Sequence, residues 1–362
     1  MSESKFSIGS FFRPASRLYN KPDLPNLVRD NELDLIRFLL ASCVVFYHVL
    51  ILAKGLNFPL ARLEAVPAFI LLSGLLVTES FYRSSHLFSY IEKRVRRIYP
   101  AYLTVVIIGG LLAFLGWKYM AGANVKIGDL GRYWGINSFF ANWLQPCIVR
   151  DVPVETCAVN GSLWSIKWEV FFYALLPAIL ILFSRLHKAL YIAMLLGLAV
   201  SLSFILNPYA RLFICFLIGI STFYLKDIWM PIILRCPPIP RLLRQLLILG
   251  FFLIAYKLPY GLFILLLMGL AFYPTSKGPS INIMRFGDIS YGIYLVHFPL
   301  ISTLYVFWPA APDGIGASLV IFFSAIILSI GMYKFIEAPF LLPSNHYRRA
   351  HQKAQGGSDA TL

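Results

Sequence analysis

The sequence predicts an all-α, polytopic integral membrane protein of about ten transmembrane helices. Three observations carry that prediction. Of 362 residues, 59% are hydrophobic and 14% charged, whereas a soluble domain is about a quarter charged. The mean hydropathy is +0.72. The apolar residues also fall in runs of about 20, the length that crosses a hydrocarbon core as a helix. Alternation at period two, the mark of a transmembrane barrel, is absent.

The runs place spans at about 34–54, 63–80, 98–117, 162–183, 188–206, 209–226, 242–257, 260–274, 287–308 and 315–337. The second, seventh and eighth are short or interrupted. Residues 1–30 read as a polar cytoplasmic segment without the apolar core of a cleavable signal peptide. Residues 31–342 form the membrane domain, and 343–362 a polar cytoplasmic tail. No second soluble domain is expected.

The net charge of +15 is explained by loop placement. With the N-terminus inside, cytoplasmic segments hold 21 of the 32 lysines and arginines and external loops hold 7. That bias puts both termini in the cytoplasm. No basic segment carries a nucleic-acid-binding motif, so the expected partner is the lipid bilayer. One external segment is long, 118–161, with a short interfacial helix expected near 129–142. Its Cys147 and Cys157 would face an oxidising compartment in a bacterial host, which permits a disulfide, although two free thiols remain the alternative. Cys43, Cys215 and Cys236 read as packing residues.

Ionisable groups inside membrane helices are costly and mark function by default. The first span carries two, Arg37 and His48. Eleven residues bring a helix back to within about 20° of the same face and rise about 16 Å. His48 suits general-base work near neutral pH; the bland alternative is a histidine bonded across helices. In Asn160-Gly-Ser162-Leu-Trp164-Ser165-Ile-Lys167-Trp168-Glu169, Asn160 or Ser162 can cap the helix. Ser162, Ser165 and Glu169 share a face. Glu169 and His48 lie at similar depths, so Glu169 could orient the imidazole; alternatively it pairs with Lys167 or Arg211.

Two arginines, Arg94 and Arg97, sit one turn apart at the mouth of the third span. Their forks suit phosphate oxygens, although positive-inside anchors would look the same. In the ninth span Ser290, Tyr294 and His297 share a face. His297 is either a second catalytic or positioning group or a helix-pinning residue before Pro299. Glu337 could be a structural ion-pair partner. Ser73-Gly74 interrupts the second span, where small residues allow close packing or ligand entry. Spacing motifs for metals, hydrolases and nucleotide folds are not supported.

In order, these motifs are Arg-x10-His, Ser-Gly, Arg-x-x-Arg-Ile-Tyr-Pro, Ser-Leu-Trp-Ser-x-x-x-Glu-x-x-Phe-Tyr and Ile-Ser-Tyr-x-x-Tyr-Leu-x-His. Together they resemble the membrane acyltransferase family 3 over about residues 30–342. The resemblance implies a bacterial inner-membrane enzyme that O-acylates a carbohydrate such as O-antigen, exopolysaccharide, peptidoglycan or a Nod factor. Its donor would be a cytosolic acyl-CoA, usually acetyl-CoA, acting as co-substrate with no bound cofactor. By that similarity Arg37 and His48 are the positions essential for transfer, and Arg94 and Arg97 match the donor-side motif. Peptidoglycan-modifying relatives often carry an extra hydrolase-like domain; none is expected here, and that favours a stand-alone polysaccharide acetyltransferase.

The expected arrangement follows. Donor phosphates are held by Arg94, Arg97 and Arg37, with Ser73 nearby. His48, supported by Glu169, acts as base or transient acyl carrier. Ser162, Trp164, Ser165, Tyr294 and His297 position a lipid-linked or growing glycan, with Trp164 and Trp143 as stacking surfaces. Polysaccharide synthesis or export machinery is the expected protein partner. The rival class is a secondary transporter or flippase using the same ionisable groups as a relay, but neither inverted repeats nor paired broken helices are evident.

Overall fold

A computed structural model describes residues 32–52, 59–84, 86–120, 122–144, 147–148, 157–183, 186–202, 204, 207–276, 278–282, 286–307 and 314–342. The predicted segment 1–30 and tail 343–362 lie outside the described residues, as do parts of the 118–161 loop.

The helices are α1 (Leu33–Leu52), α2 (Ala65–Tyr82), α3 (Leu87–Leu115), α4 (Ile127–Asn137), α5 (Trp164–Phe183), α6 (Lys188–Ser201), α7 (Pro208–Tyr224), α8 (Lys226–Leu234), α9 (Arg241–Ile254), α10 (Tyr260–Phe272), α11 (Ser290–Phe307) and α12 (Gly314–Met332). Each predicted span contains a helix, and α4 falls at the predicted interfacial helix. Two short parallel strands, Ile239–Pro240 and Thr275–Ser276, pair beside α9.

The predicted count of ten spans is not reached on length and hydropathy. Among the described residues five helical stretches are long and apolar enough to cross: Leu33–Leu52, Ala65–Tyr82, Leu87–Met120, Gly161–Leu182 and Gly314–Phe340. A sixth arises if α7 and α8, bent by 70°, count together. Part of the shortfall is geometric. With 14 and 13 residues, α6 and α10 rise only about 20 Å, short of a hydrocarbon core about 30 Å thick.

The interior is assembled by close contacts that the sequence encodes with small residues and prolines. Ser73-Gly74 does not interrupt α2, which runs unbroken. Instead a Cβ on Gly74 would overlap the Phe216 carbonyl of α7, and one on Gly219 would overlap the Leu71 carbonyl of α2. The pair lets two backbones touch, as small residues do in membranes, while Ser73, about 100° round the helix, lines the chamber described below.

Prolines inside helices release carbonyls four residues earlier, and neighbouring side chains take them. Pro177 releases the Tyr173 carbonyl, which accepts from the Tyr90 hydroxyl at 3.0 Å. Pro299 releases the Leu295 carbonyl, which accepts from Asn160 Nδ2 at 2.9 Å. In hydrocarbon an unpaired carbonyl is costly, so these two bonds lock α3 to α5 and the start of α5 to α11.

At the α1 entrance, Glu32 is buried. It accepts from Arg241 Nε and Arg244 Nη2 at 2.7 Å and from Gln245 Nε2 at 2.9 Å. Arg244 also donates to the Tyr273 carbonyl at 2.5 Å. Sequence reading assigned both arginines to the cytoplasmic charge bias; here they clamp the chain entering α1. A separate apolar cluster that includes Ala41, Val45, Ile289, Ile293, Ala317 and Ile321 packs α1 against α11 and α12.

Cys147 and Cys157 are joined in a disulfide with Cα atoms 5.3 Å apart. Cys147 also bridges Ala158 in antiparallel fashion, just before Asn160, whose Oδ1 accepts from the Ser162 amide at 3.1 Å. The loop thereby holds the Asn160 side chain against α11. Replacing Cys157 with serine is expected to lower the thermal unfolding midpoint of the purified protein, since a native disulfide contributes about 2–5 kcal/mol. An unchanged midpoint would show that the loop is held without it.

Candidate active site

One chamber collects most of the polar residues singled out in the sequence. It encloses about 900 Å³, including its open mouth, between α1, α2, α3, α5 and α11. Arg37, Ser73, Arg94, Arg97, Ser165 and Glu169 are in its wall.

An ion-pair cluster forms one end. Asp288 Oδ2 accepts from Arg37 Nη1 at 2.9 Å and from Arg97 Nη2 at 2.5 Å. Asp288 Oδ1 accepts from the Ser290 hydroxyl at 2.6 Å. The Nη1 of Arg97 bonds Glu337, and its guanidinium lies 5.2 Å from the centre of the Tyr291 ring. Asp288, Arg97 and Glu337 are all buried. Charges survive in such a place only when each is partnered.

Two local features deliver these carboxylates. Gly287 has φ of +84°, a left-handed conformation favoured by glycine, and its α-carbon abuts the Tyr333 ring where a Cβ would not fit. It turns the chain so that Asp288 enters beside the arginines. A π-helical turn over Tyr333–Glu337 ends α12 and swings Glu337 inward; such turns are frequent at functional sites.

Arg94 has a different environment. Its Nη2 donates to Ser80 Oγ at 2.9 Å, its guanidinium lies 5.9 Å from the Tyr173 ring centre, and its Nε is buried with no partner. Opposite, Glu169 Oε1 accepts from Ser73 Oγ at 3.0 Å and from the Tyr173 hydroxyl. Neither alternative partner is used. Lys167 lies over the Trp143 and Trp168 rings, 5.7 and 6.0 Å from their centres, and Arg211 pairs with Glu64 at 2.7 Å.

The expected Glu169–His48 pairing is therefore corrected. His48 is outside the chamber wall, and its neighbour is His297: Nε2 of His297 is 3.0 Å from Nδ1 of His48, with ring centres 4.9 Å apart. The cause is the packing of α1 on α11: His297 follows the chamber-lining Tyr294 by one turn of α11 and meets His48, which lies about three turns beyond Arg37 on α1. Tyr294 joins the two places. It lines the chamber, meets Phe69 at 6.0 Å and meets His297 at 6.0 Å.

Three further expectations change. Arg97 directs its fork at Glu337 and Asp288 rather than outward, because the cluster buries it. Ser162 is fully buried, bonding Asn160 Oδ1 at 2.6 Å and the Tyr294 carbonyl at 3.3 Å. Ser162 and Trp164 are both outside the chamber wall; Trp164 packs edge-on against Tyr209 instead. Ser165 stays in the wall and shares a 2.6 Å bond with the Tyr294 hydroxyl. Sequence reading missed Asp288 as the arginines' partner and Tyr173 as the partner of Glu169. The i, i+4 spacing of Glu169 and Tyr173 on one helix was the available signal; none foretold Asp288, which lies 251 residues from Arg37.

The site is thus an arginine-bearing chamber with a histidine pair, set in a bundle of apolar helices. The chain belongs to the acyltransferase family 3: residues 30–334 match its acyltransferase domain. It is accordingly a membrane acyltransferase. It is similar to Nodulation protein 10 of Rhizobium leguminosarum bv. viciae, 26% identical across 76% of this chain and 83% of that protein. No solved structure matches the chain.

Proposed function

We propose that the protein transfers an acetyl or related acyl group from cytosolic acyl-CoA to a hydroxyl of a surface or exported polysaccharide, or of its lipid-linked precursor. It would act in the bacterial inner membrane with both termini cytoplasmic, beside the machinery that makes or exports the glycan. The carrying observation is Arg94, which faces the chamber with a buried and unpartnered Nε. A guanidinium nitrogen buried in that state is costly, and a phosphate-bearing donor would supply the missing acceptor. Arg37 and Arg97 are held rigid at the same end by Asp288 and Glu337.

The donor thioester then extends past Tyr294 toward His48. His48 takes the proton from the acceptor hydroxyl, whose oxygen bonds the acyl carbon as the carbon–sulfur bond breaks. The proton returns from His48 to the departing thiolate. Protons and charge balance without a further reactant.

Inverted membrane vesicles carrying the full chain, given [14C]acetyl-CoA, test this. Label is expected in the glycan fraction. Arg94→Leu is expected to raise the half-saturating acetyl-CoA concentration about tenfold or more, the scale of a lost charge-assisted hydrogen bond. Solute uptake with no label in glycan would overturn the transferase reading of the site, and an unshifted half-saturation would remove Arg94 from donor binding.

A further inference from the structure

The geometry of the histidine pair assigns His297 as the side chain that, together with the Val44 carbonyl, holds the tautomer and orientation of the His48 ring, by a neutral hydrogen bond rather than by a carboxylate. We propose that this bond, added to that of the Val44 carbonyl, keeps the proton on Nδ1 and leaves Nε2 of His48 as a bare, oriented base. The inference rests on the preceding reading of His48 as the proton acceptor.

Two backbone carbonyls set the direction. His297 Nδ1 lies 3.1 Å from the Ile293 carbonyl, and His48 Nδ1 lies 3.0 Å from the Val44 carbonyl. Each carbonyl is four residues back along the same helix. A carbonyl oxygen only accepts, so each Nδ1 must carry the proton. In a neutral ring the other nitrogen is then an acceptor. His297 Nε2 is thus bare, and it points at the Nδ1–H of His48, 3.0 Å away. That proton is shared between Val44 and His297, and the lone pair of the His48 ring is left on Nε2. The reverse tautomer of His48 would face a carbonyl and a bare nitrogen with a lone pair, which is repulsive on both sides.

The surroundings hold the arrangement. His297 is fully buried, whereas His48 is half-buried, so one ring is enclosed and the other is accessible. Phe298 abuts His48 edge-on at 5.4 Å and Tyr294 abuts His297. On α1, Ala41, Val45 and Val49 sit in the apolar cluster with α11 and α12, so among the described residues that packing supplies no carboxylate. An orienting group normally fixes ring and tautomer so that the working nitrogen is ready. Using imidazole for that task adds no charge to a membrane interior, where an unpaired carboxylate is expensive. It also explains why Glu169 is directed elsewhere, to Ser73 and Tyr173. His297 does not touch substrate in this account; it is a positioning residue.

The test uses the same vesicles, with acetyl-CoA concentration varied and variants compared at equal membrane content of protein. His297→Leu removes the acceptor and keeps bulk. His297→Gln can present its side-chain carbonyl oxygen to His48. His297→Leu is expected to lower turnover about a hundredfold, within the range contributed by a positioned base, with the half-saturating acetyl-CoA concentration unchanged. His297→Gln is expected to recover at least a tenfold share of that loss. A merely structural role predicts instead that both variants fall together in amount or unfolding temperature. Full turnover in His297→Leu, or equal loss in the Leu and Gln variants, would overturn the proposal. Should His48→Ala itself keep full turnover, the acyl-transfer reading of His48 fails and this inference falls with it. Loss in His48→Ala alongside normal His297→Leu sinks only the inference.

Discussion

Asp288→Ala is expected to destabilise the fold by about 3–5 kcal/mol, the range for removing one partner from a buried ion pair. Asp288 joins Arg37 of α1 to Arg97 of α3 through one oxygen. Without it both guanidinium groups lose a partner in a membrane interior, and Arg97 is left on Glu337. The Ser290 hydroxyl at the start of α11 loses its acceptor too. Asp288→Asn keeps an oxygen for one donor but not the charge, so a smaller loss is expected. Thermal unfolding of the detergent-purified variants reads both. An alanine variant that melts with the wild type would show that the cluster is not what holds α1, α3 and α11 together at this end.

His48→Ala is expected to lower acyl transfer about 10²–10⁴-fold, the contribution of a positioned acid–base group. Its effect on stability should be small by comparison, because His48 is half-buried and its ring bonds only Val44 and His297 among the contacts described. Binding of acetyl-CoA should persist, since the arginine end of the chamber is about 16 Å along α1 from His48. The combination of intact donor binding and lost transfer separates a reacting group from a packing one. Loss of donor binding together with transfer would instead place His48 in the donor site.

The helices were legible because apolar runs and their interruptions are local properties. Each predicted span contains a helix, and α4 appears within the loop where it was expected. How many cross the bilayer was not legible, since 13- and 14-residue helices carry the same hydropathy as longer ones but not their reach. Residue types at the site were legible for a similar local reason: Arg37, Arg94 and Glu169 are out of place in a membrane unless they do something. Their partners were not. Arg37–Asp288, Arg97–Glu337 and His48–His297 join positions 251, 240 and 249 residues apart. Helical depth put Glu169 and His48 at one level, but depth says nothing about which way α5 faces. Tyr173 and Ser73, on α5 and α2, claim that carboxylate first. The basic residues illustrate the same limit. Counting read Arg97, Arg241 and Arg244 as loop charge, whereas they are buried or half-buried clamps on Glu337, Asp288 and Glu32.

The proposed reaction transfers an acyl group to a glycan. Mass spectrometry of host surface glycans, with the intact protein, without it, and with His48→Ala, measures that directly. A gain of one acetyl unit per repeat with the intact protein, absent in the other two, is the predicted result. Identical glycan masses in all three would contradict it.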